Sequence, residues 1–438
     1  MSAFSPSTLA LLALPLLLVA HVLHVRHQRH KLRRSIEALF LHRYALSAED
    51  EARGLPRMTQ AGLRGIRDAQ YIWHTLASYE MPWVSLKSLE IAVFRTYGIP
   101  TISRILMRTG QLGAKEKSSR RFGLLVASFF TYPIPRLDLQ DNDVARPGEE
   151  DYLIPDDPRS AIALARVNFL HRRANGIHGP KGAGISNDDL VYTLSTFVFQ
   201  PVRFYKVMGY REATPLEEEA LYAVFYHVGR CMGMHSIPAT REAFAAWAEA
   251  YEVKHLICAE SNVKLAERTV DVLLAHAPKA LRPALSHVIA CVMDERLRLA
   301  VGFAAPPTWL KTLMQGVFMT FGAVQRHLCL PRRHACGIAP YANENISGLQ
   351  GIGMCPATGA MEGEGKTCPV GASEKGEAKA RMHPHWAADA VSRQYMPPVP
   401  RYSLYWFYER FFVAEEQRWG AKKWAGKGYR LEECGPRG

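Results

Sequence analysis

The chain has few cysteines, and they show no paired arrangement. Eight cysteines in 438 residues, without tight pairing, do not make a disulfide framework. A small disulfide-stabilised secreted protein is therefore excluded, and a reducing compartment fits the composition best.

Several catalytic motifs and one kind of periodicity are missing as well. No glycine-rich phosphate loop follows a strand, no G-x-S-x-G elbow occurs, and H-E-x-x-H is absent. Convincing strand alternation is also absent, because the β-branched residues are scattered among helix formers. The sequence therefore predicts an all-α fold, which we expect to be a globin-like multi-helix bundle.

Positive charge is in excess and has a definite location. The formal net charge is +13, and much of it lies directly after an apolar segment, at Arg26, Arg29, Lys31, Arg33 and Arg34. No later block of Lys and Arg interleaves with aromatic residues as a nucleic-acid surface would. The charge indicates apposition to a membrane, and no nucleic-acid partner is expected.

That apolar segment runs from Thr8 to Val25 and is broken only by Pro15, His21 and His24. As a helix it would be about 27 Å long, near the thickness of a thin bilayer core. Its N-terminal flank has no charged side chain, whereas the other flank is strongly basic. The positive-inside tendency predicts a single-pass signal anchor with everything after Arg26 in the cytosol. A cleaved signal peptide is the alternative.

The composition divides the rest of the chain into three parts. Residues 26–59 form a basic stem helix, residues 60–326 a helical domain, and residues 327–438 a loop-rich extension with an aromatic helix. In the stem, Leu32, Ile36 and Phe40 give an amphipathic pattern. This pattern suits a helix lying on the membrane and a helix packing on the domain equally well.

Helix boundaries in the domain are well signalled. Ser186 and Thr214 are N-caps with an acidic residue three positions later. The first of these helices is predicted to stop before Pro201. Three further helices are predicted over Thr240 to Ala259, Ser261 to Ala275 and Ala280 to Val301.

One histidine lies on an apolar helical stripe. Pro158 follows two aspartates and can start a helix, in which Leu164, Val167, His171 and Ala174 share a face. His171 should therefore point into the core. It is either a packed histidine with satisfied nitrogens or a metal or haem ligand.

Other candidate ligands compete with His171. His227 shares a helical face with Ala220, Val224 and Cys231 and is the rival internal ligand. Glu252 and His255 form an E-x-x-H motif, but a di-iron centre needs a second copy, so Glu252 is better explained as a packed or capping carboxylate. A further group of His and Cys residues is spaced too widely for a structural zinc site, and its Cys-Pro pairs are similar to regulatory haem motifs. Free thiols in a loop are the simpler explanation of this group. Its members are His327, Cys329, His334, Cys336, Cys355 and Cys368.

Together, several short segments resemble the mpaB-type membrane-anchored haem oxygenases and, more distantly, the latex-clearing rubber oxygenases. The similarity extends over about residues 60–330. Its matching segments are Thr96 to Ser103, Thr109-Gly110, Arg120-Arg121-Phe122, Arg166 to His171, Ile185 to Ser195, Tyr210-Arg211, Glu217 to Ala220, Gly229 to Met234, Ile237-Pro238, Trp247, Tyr251-Glu252 and Asn262.

The resemblance implies a b-type haem and a site to hold it. His171 would be the iron ligand, Arg121 the catalytic group on the oxygen-binding side, and Arg166 and His227 further cofactor-binding candidates. The implied reaction is O2-dependent cleavage of a C=C bond in a prenyl, terpenoid or other lipophilic substrate. The implied location is the endoplasmic reticulum membrane, with the catalytic domain in the cytosol.

One departure from the family pattern keeps other functions open. Where the family has an acidic residue and a threonine after the paired arginines, this chain has Leu124 and Leu125. A polar group on the oxygen-binding side is therefore missing. A non-catalytic, membrane-anchored haem or lipid carrier and a haem-free scaffold are the alternatives.

Overall fold

The computed structural model describes residues 6–108, 158–178, 184–274, 277–332 and 410. Within these ranges every regular element is helical, which confirms the predicted all-α class. Three short turns of other helix types occur, Met58–Gln60, the π-helical Thr75–Glu80 and Lys279–Leu281. The α-helices in chain order are α1 (Pro6–Arg29), α2 (Lys31–Phe40), α3 (Ala48–Ala52), α4 (Gly62–His74), α5 (Pro82–Tyr97), α6 (Pro100–Arg108), α7 (Pro158–His178), α8 (Asn187–Met208), α9 (Pro215–Cys231), α10 (Arg241–His255), α11 (Glu260–Leu273), α12 (Arg282–Cys291), α13 (Glu295–Ala300) and α14 (Thr308–His327).

Two helix pairs build the core. Helix α5 packs along α8, and α4 packs along α9, while α8 and α9 also contact each other. Phe94, Leu194 and Phe225 belong to the resulting apolar cluster. Buried hydroxyls within it are paired, as they must be to avoid a desolvation penalty. Tyr205 shares a hydrogen bond of 2.7 Å with Ser85.

The predicted caps form, but two predicted boundaries are wrong. Ser186 and Thr214 accept hydrogen bonds from the backbone N–H groups three residues later. Helix α8 continues through the buried Pro201 to Met208. Burial of Phe204 and Met208 beyond the proline outweighs the one backbone hydrogen bond that it removes.

The helix predicted over Ala280 to Val301 is interrupted. The structure places α12 and α13 there, separated at residues 292–294. Asp294 accepts a hydrogen bond from the N–H of Leu297 at 2.9 Å and so starts α13 as its N-cap.

The N-terminal segments contact the helical domain. Ile36 and Phe40 of α2 are buried in the main core, so the stem packs on the domain, the second of the two predicted alternatives. Arg29 was predicted to contribute to a membrane-facing charge, but it is only 4% exposed. Its guanidinium donates to the carbonyl oxygens of Gln325 and Cys329, each at 2.8 Å, at the end of α14. Such contacts satisfy carbonyls that a helix end leaves unpaired.

The predicted anchor corresponds to α1. Its first residues, through Leu14, are not among those whose side chains are described, so the anchor lies partly outside the described residues. Among the helices searched in the described part of the chain, none meets the length and apolarity needed to cross a membrane.

A buried ion pair connects the central helices. Arg95 on α5 donates through Nε and Nη2 to the two carboxylate oxygens of Glu252 on α10, at 2.5 and 2.6 Å. Tyr192 on α8 donates to the same carboxylate at 3.1 Å. Arg95 also donates to Asp294, the N-cap of α13. Glu252 is therefore a packed carboxylate, as predicted from the isolated E-x-x-H motif.

Removing the charge of Glu252 should destabilise the protein strongly. Glu252→Gln replaces the bidentate carboxylate partner of the buried Arg95 with a neutral amide that can accept only one of the two hydrogen bonds, and breaking a buried pair costs about 3 kcal/mol or more. Urea unfolding followed by circular dichroism measures this loss. The matched control is Glu260→Gln, which removes an exposed pair with Lys264 and should leave the unfolding free energy unchanged within error. A loss below about 1 kcal/mol for Glu252→Gln would contradict the structural role.

The last residue of α4 should make stability depend on pH. Burial lowers the pKa of His74 to about 4, so the folded protein keeps this imidazole neutral where the unfolded chain takes up a proton. Its contribution is fully present above about pH 6.5 and is lost as the pH falls towards 4. In His74→Gln, the decrease of the urea midpoint from pH 7.5 to pH 4.5 should be smaller than in the parent. His42→Gln, at an exposed position, should reproduce the parent profile; equal slopes in all three proteins would refute this assignment.

Candidate functional site

Helix α7 carries the principal candidate ligand. It begins at Pro158, as predicted, and its buried face includes Leu164, Val167 and Asn168. His171 follows on this face and is partly accessible. The predicted apolar stripe is therefore confirmed up to the histidine.

Two asparagines on the same side of α7 fix its position. Asn168 Nδ2 donates to the carbonyl oxygen of Cys231, at the end of α9, at 3.2 Å. Asn175 Oδ1 accepts from the N–H of Ile185, just before α8, at 2.8 Å. His171 lies between these two positions at spacings of three and four residues, so it faces the junction where α9 ends and α8 begins.

The electrostatic state of His171 suits metal ligation. Desolvation by the surrounding protein lowers its pKa to about 4, because burial disfavours the charged imidazolium. The ring is therefore neutral at physiological pH, with one nitrogen lone pair free of a proton. A neutral imidazole is the form that binds a metal ion or a haem iron.

The rival candidate, His227, lies on a helix that contacts α7. Ala220, Val224 and Cys231, which share its face of α9, are all buried, and His227 itself is half-buried. The hydrogen bond from Asn168 to Cys231 joins α7 to α9 one turn beyond His227. The structure thus brings together the two helices that carry the candidate histidines.

Arg166 is the third candidate on α7. It is half-buried, and its guanidinium lies over the ring of Phe169, 5.2 Å from the ring centroid. Phe169 is 44% exposed, so Arg166 sits near the surface, where a cation can meet an anionic group of a bound cofactor.

The turn after α9 borders this junction and is held in a strained conformation. Ser236 has φ of +57°, an uncommon value for a residue with a side chain. Asn187 braces the turn, because its amide donates to the carbonyl oxygen of His235 at 3.0 Å and its oxygen accepts from the N–H of His235 at 3.1 Å. Tyr222 also donates to the carbonyl oxygen of Pro238 at 2.6 Å. Hydrogen bonds from α8 and α9 therefore hold this turn in its strained conformation beside the junction that His171 faces.

Several predicted site residues lie outside the described residues. They are Arg121, Leu124, Leu125, His334, Cys336, Cys355, Cys368 and the aromatic segment near Arg410. In the part that the structure describes, no group of three or more His, Cys, Asp and Glu side chains is arranged to hold a metal ion. His255 stacks on Tyr251 with ring centroids 4.4 Å apart, and Glu252 pairs with Arg95.

Sequence reasoning missed one buried imidazole. His74 ends α4 and has a pKa lowered to the same value, about 4, as that of His171. Ile66 and Gln70, which precede it at spacings of four residues, are both buried. The same periodicity that identified His171 would have identified His74.

Comparison with known proteins places this chain in a family. The profile described as "ER-bound oxygenase mpaB/B'/Rubber oxygenase, catalytic domain" matches residues 151–327, which include α7 and the junction it faces. The ER-bound oxygenase mpaB' of Penicillium brevicompactum is 30% identical over 290 residues, covering 63% of this chain and 63% of that protein. The ER-bound oxygenase mpaB of Penicillium roqueforti is 30% identical over 247 residues, covering 53% of this chain and 75% of that protein.

A third relative shows the same level of similarity. The mpaB of Penicillium brevicompactum is 29% identical over 253 residues, covering 55% of this chain and 58% of that protein. The chain thus spans less than two thirds of the length of two of these relatives, and three quarters of the length of the other. On the profile match and the Penicillium roqueforti relative together, the chain belongs to the family of the mpaB oxygenases and the rubber oxygenase catalytic domain.

Proposed function

We propose that this protein is a haem-b-dependent oxygenase that uses O2 to cleave a C=C bond in a prenyl, terpenoid or other lipophilic substrate. Membership of an oxygenase family supports the reaction class. The observation that carries the proposal is the position of His171 on α7, between Asn168 and Asn175, from which its neutral ring faces the junction of α7, α8 and α9.

Two residues of α7 would hold the haem in this proposal. His171 would hold the iron through its neutral ring, and Arg166, half-buried on the same helix, would pair with a propionate. Haem supplies the activation of O2 when it is bound. The contribution of the chain is to fix the ligand helix through Asn168 and Asn175 and to keep the ring deprotonated. Arg121 would donate hydrogen bonds to oxygen on the other side.

The proposed location is the endoplasmic reticulum membrane. The relatives are named ER-bound oxygenases, and α1 contains the apolar segment from Thr8 to Val25, which a basic flank follows. We propose that this segment spans the membrane once, with the helical domain in the cytosol. A lipophilic substrate partitions into the bilayer, so an anchored enzyme meets it at a high local concentration.

A haem or lipid carrier on the same fold is the second candidate. The observation that favours it is the pair Leu124 and Leu125, which replaces the acidic residue and threonine of the family pattern. Without a polar group there, less stabilisation is available for charge that develops on oxygen. The proposal assigns the stabilisation of that charge to Arg121.

Removal of the ligand should abolish haem binding. The full chain, purified in detergent, should show a Soret band at one haem per chain, and His171→Ala should lose it because the proposal assigns the iron to this imidazole. His227→Ala is the matched control and should keep the band. Retention of haem by His171→Ala together with its loss in His227→Ala would reverse the ligand assignment. A parent protein without a Soret band at stoichiometric haem would exclude both haem-based functions.

Substrate loss should depend on O2 and on haem. A screen of prenylated aromatics and terpenoids with reduced, haem-loaded protein should give two carbonyl products for each C=C bond that is lost, detected by mass spectrometry. His171→Ala should reduce turnover by at least 100-fold, since the group that activates O2 is gone. Haem-loaded protein that binds these compounds and leaves them intact in air would favour the carrier.

A further inference from the structure

Helix α14 exposes apolar side chains along its outer face. Trp309, Leu313, Val317 and Val324 are 66%, 53%, 48% and 40% exposed. Their spacings of four, four and seven residues place them within one arc of the helix. Contiguous exposed apolar surface of this kind marks a contact with another apolar phase or molecule.

The inner face of the same helix packs against the rest of the domain. Phe318 packs against the main core, and Phe321 contacts Trp83 with ring centroids 5.1 Å apart. Gly322 packs directly on the backbone of Gly209, so a Cβ at this position would come within 2.9 Å of the carbonyl oxygen of Gly209. Helix α14 is therefore apolar on both faces, whereas the outer face of a surface helix in water is usually polar.

The charge of the surrounding segments indicates what the outer face of α14 contacts. Residues 308–343, which include α14, contain four Lys and Arg residues and no Asp or Glu, and residues 1–36 contain five Lys and Arg residues and no Asp or Glu. These two segments therefore carry nine of the 13 net positive charges of the chain. An apolar face within a segment that carries only basic charge is complementary to a bilayer with anionic headgroups.

Helix α14 is also joined to α1. Arg29 binds the carbonyl oxygens of Gln325 and Cys329 at its end, and His21 Nε2 lies 3.0 Å from the carbonyl oxygen of Leu328. Near this contact α1 exposes a run of apolar side chains, from 55% to 71% exposed, at Leu16, Leu17, Leu18, Val19 and Leu23. The exposed apolar residues of the two helices therefore belong to one connected part of the molecule.

We infer that α14 is a second membrane contact, which lies in the plane of an anionic phospholipid bilayer with Trp309, Leu313, Val317 and Val324 in its apolar zone. The inference deepens the membrane-bound part of the proposed function. Helix α14 would orient the domain on the bilayer. Trp309 suits the boundary between the apolar zone and the headgroups, where tryptophan is enriched.

Quenching of Trp309 by lipid tests the contact. The full chain is reconstituted into vesicles of phosphatidylcholine and phosphatidylserine whose acyl chains carry bromine, a contact quencher of tryptophan. The quenched part of the emission should fall clearly in Trp309→Phe. In the control Trp247→Phe, which removes a tryptophan from an internal aromatic stack, the quenched part should stay the same.

A paired substitution tests the apolar face itself. Leu313→Asp with Val317→Asp should reduce the quenching of Trp309, and the reduction should be larger in vesicles with phosphatidylserine, because its anionic headgroups repel the added carboxylates. Val253→Asp, at an exposed apolar position on α10, is the matched control and should leave it unchanged. These charges are added at exposed positions, so folding should be retained, as circular dichroism would show.

Two outcomes would overturn the inference. If bromine fails to quench Trp309 while aqueous acrylamide quenches it, the face is in water. If neither agent reaches it, the face is covered by protein, either residues 333–438 or a second copy. The haem spectra report separately on the proposed function: haem-free protein with lipid-quenched Trp309 would refute only the oxygenase, and active protein with unquenched Trp309 would refute only this contact.

Discussion

The ion pair between Arg95 and Glu252 is the constraint on which the arrangement of the helices depends. Removing two charges from water costs several kcal/mol per ion, and only close geometry with further hydrogen bonds repays that cost. The structure supplies both, because the carboxylate takes two bonds from Arg95 and a third from Tyr192. This requirement fixes α5, α8 and α10 relative to one another. Asn187 is the first residue of α8 and braces the turn after α9. The position of α8 therefore also determines the junction against which α7 packs.

Burial keeps two histidines of this protein neutral, and a neutral imidazole can bind a metal ion. His171 and His74 are both held neutral by desolvation, so a lowered pKa alone does not distinguish a ligand from a packed residue. The surroundings do distinguish them. His171 lies on a helix fixed by Asn168 and Asn175, within the segment that the family profile matches, whereas His74 precedes a π-helical turn outside that segment. The candidate site thus depends on position as well as on protonation state.

Features that depend on residues close together in the sequence were predicted correctly. The proline start of α7 and the caps of α8 and α9 were right because each involves residues no more than a few positions apart. Predictions failed where packing between distant segments decides the result. Helix α8 passes Pro201 because buried residues follow it, and Arg29 turns inward because carbonyls about 300 positions later need a donor. The apolar stripe identified His171, but its choice over His227 came from resemblance to a family. Nothing in the sequence pairs Arg95 with Glu252, which are 157 positions apart.

The inward turn of Arg29 changes how the basic N-terminal segment relates to the domain. A single helix in a membrane, joined to its domain by a flexible stem, would leave the domain free to rotate about the anchor. Here the stem packs into the core through Ile36 and Phe40, and Arg29 joins α1 to the end of α14. A membrane-spanning helix is sufficient to hold a chain on the bilayer, so a second contact through α14 would add orientation. The face of the domain presented to the bilayer is then set by the fold, and so is the direction from which a lipophilic substrate arrives.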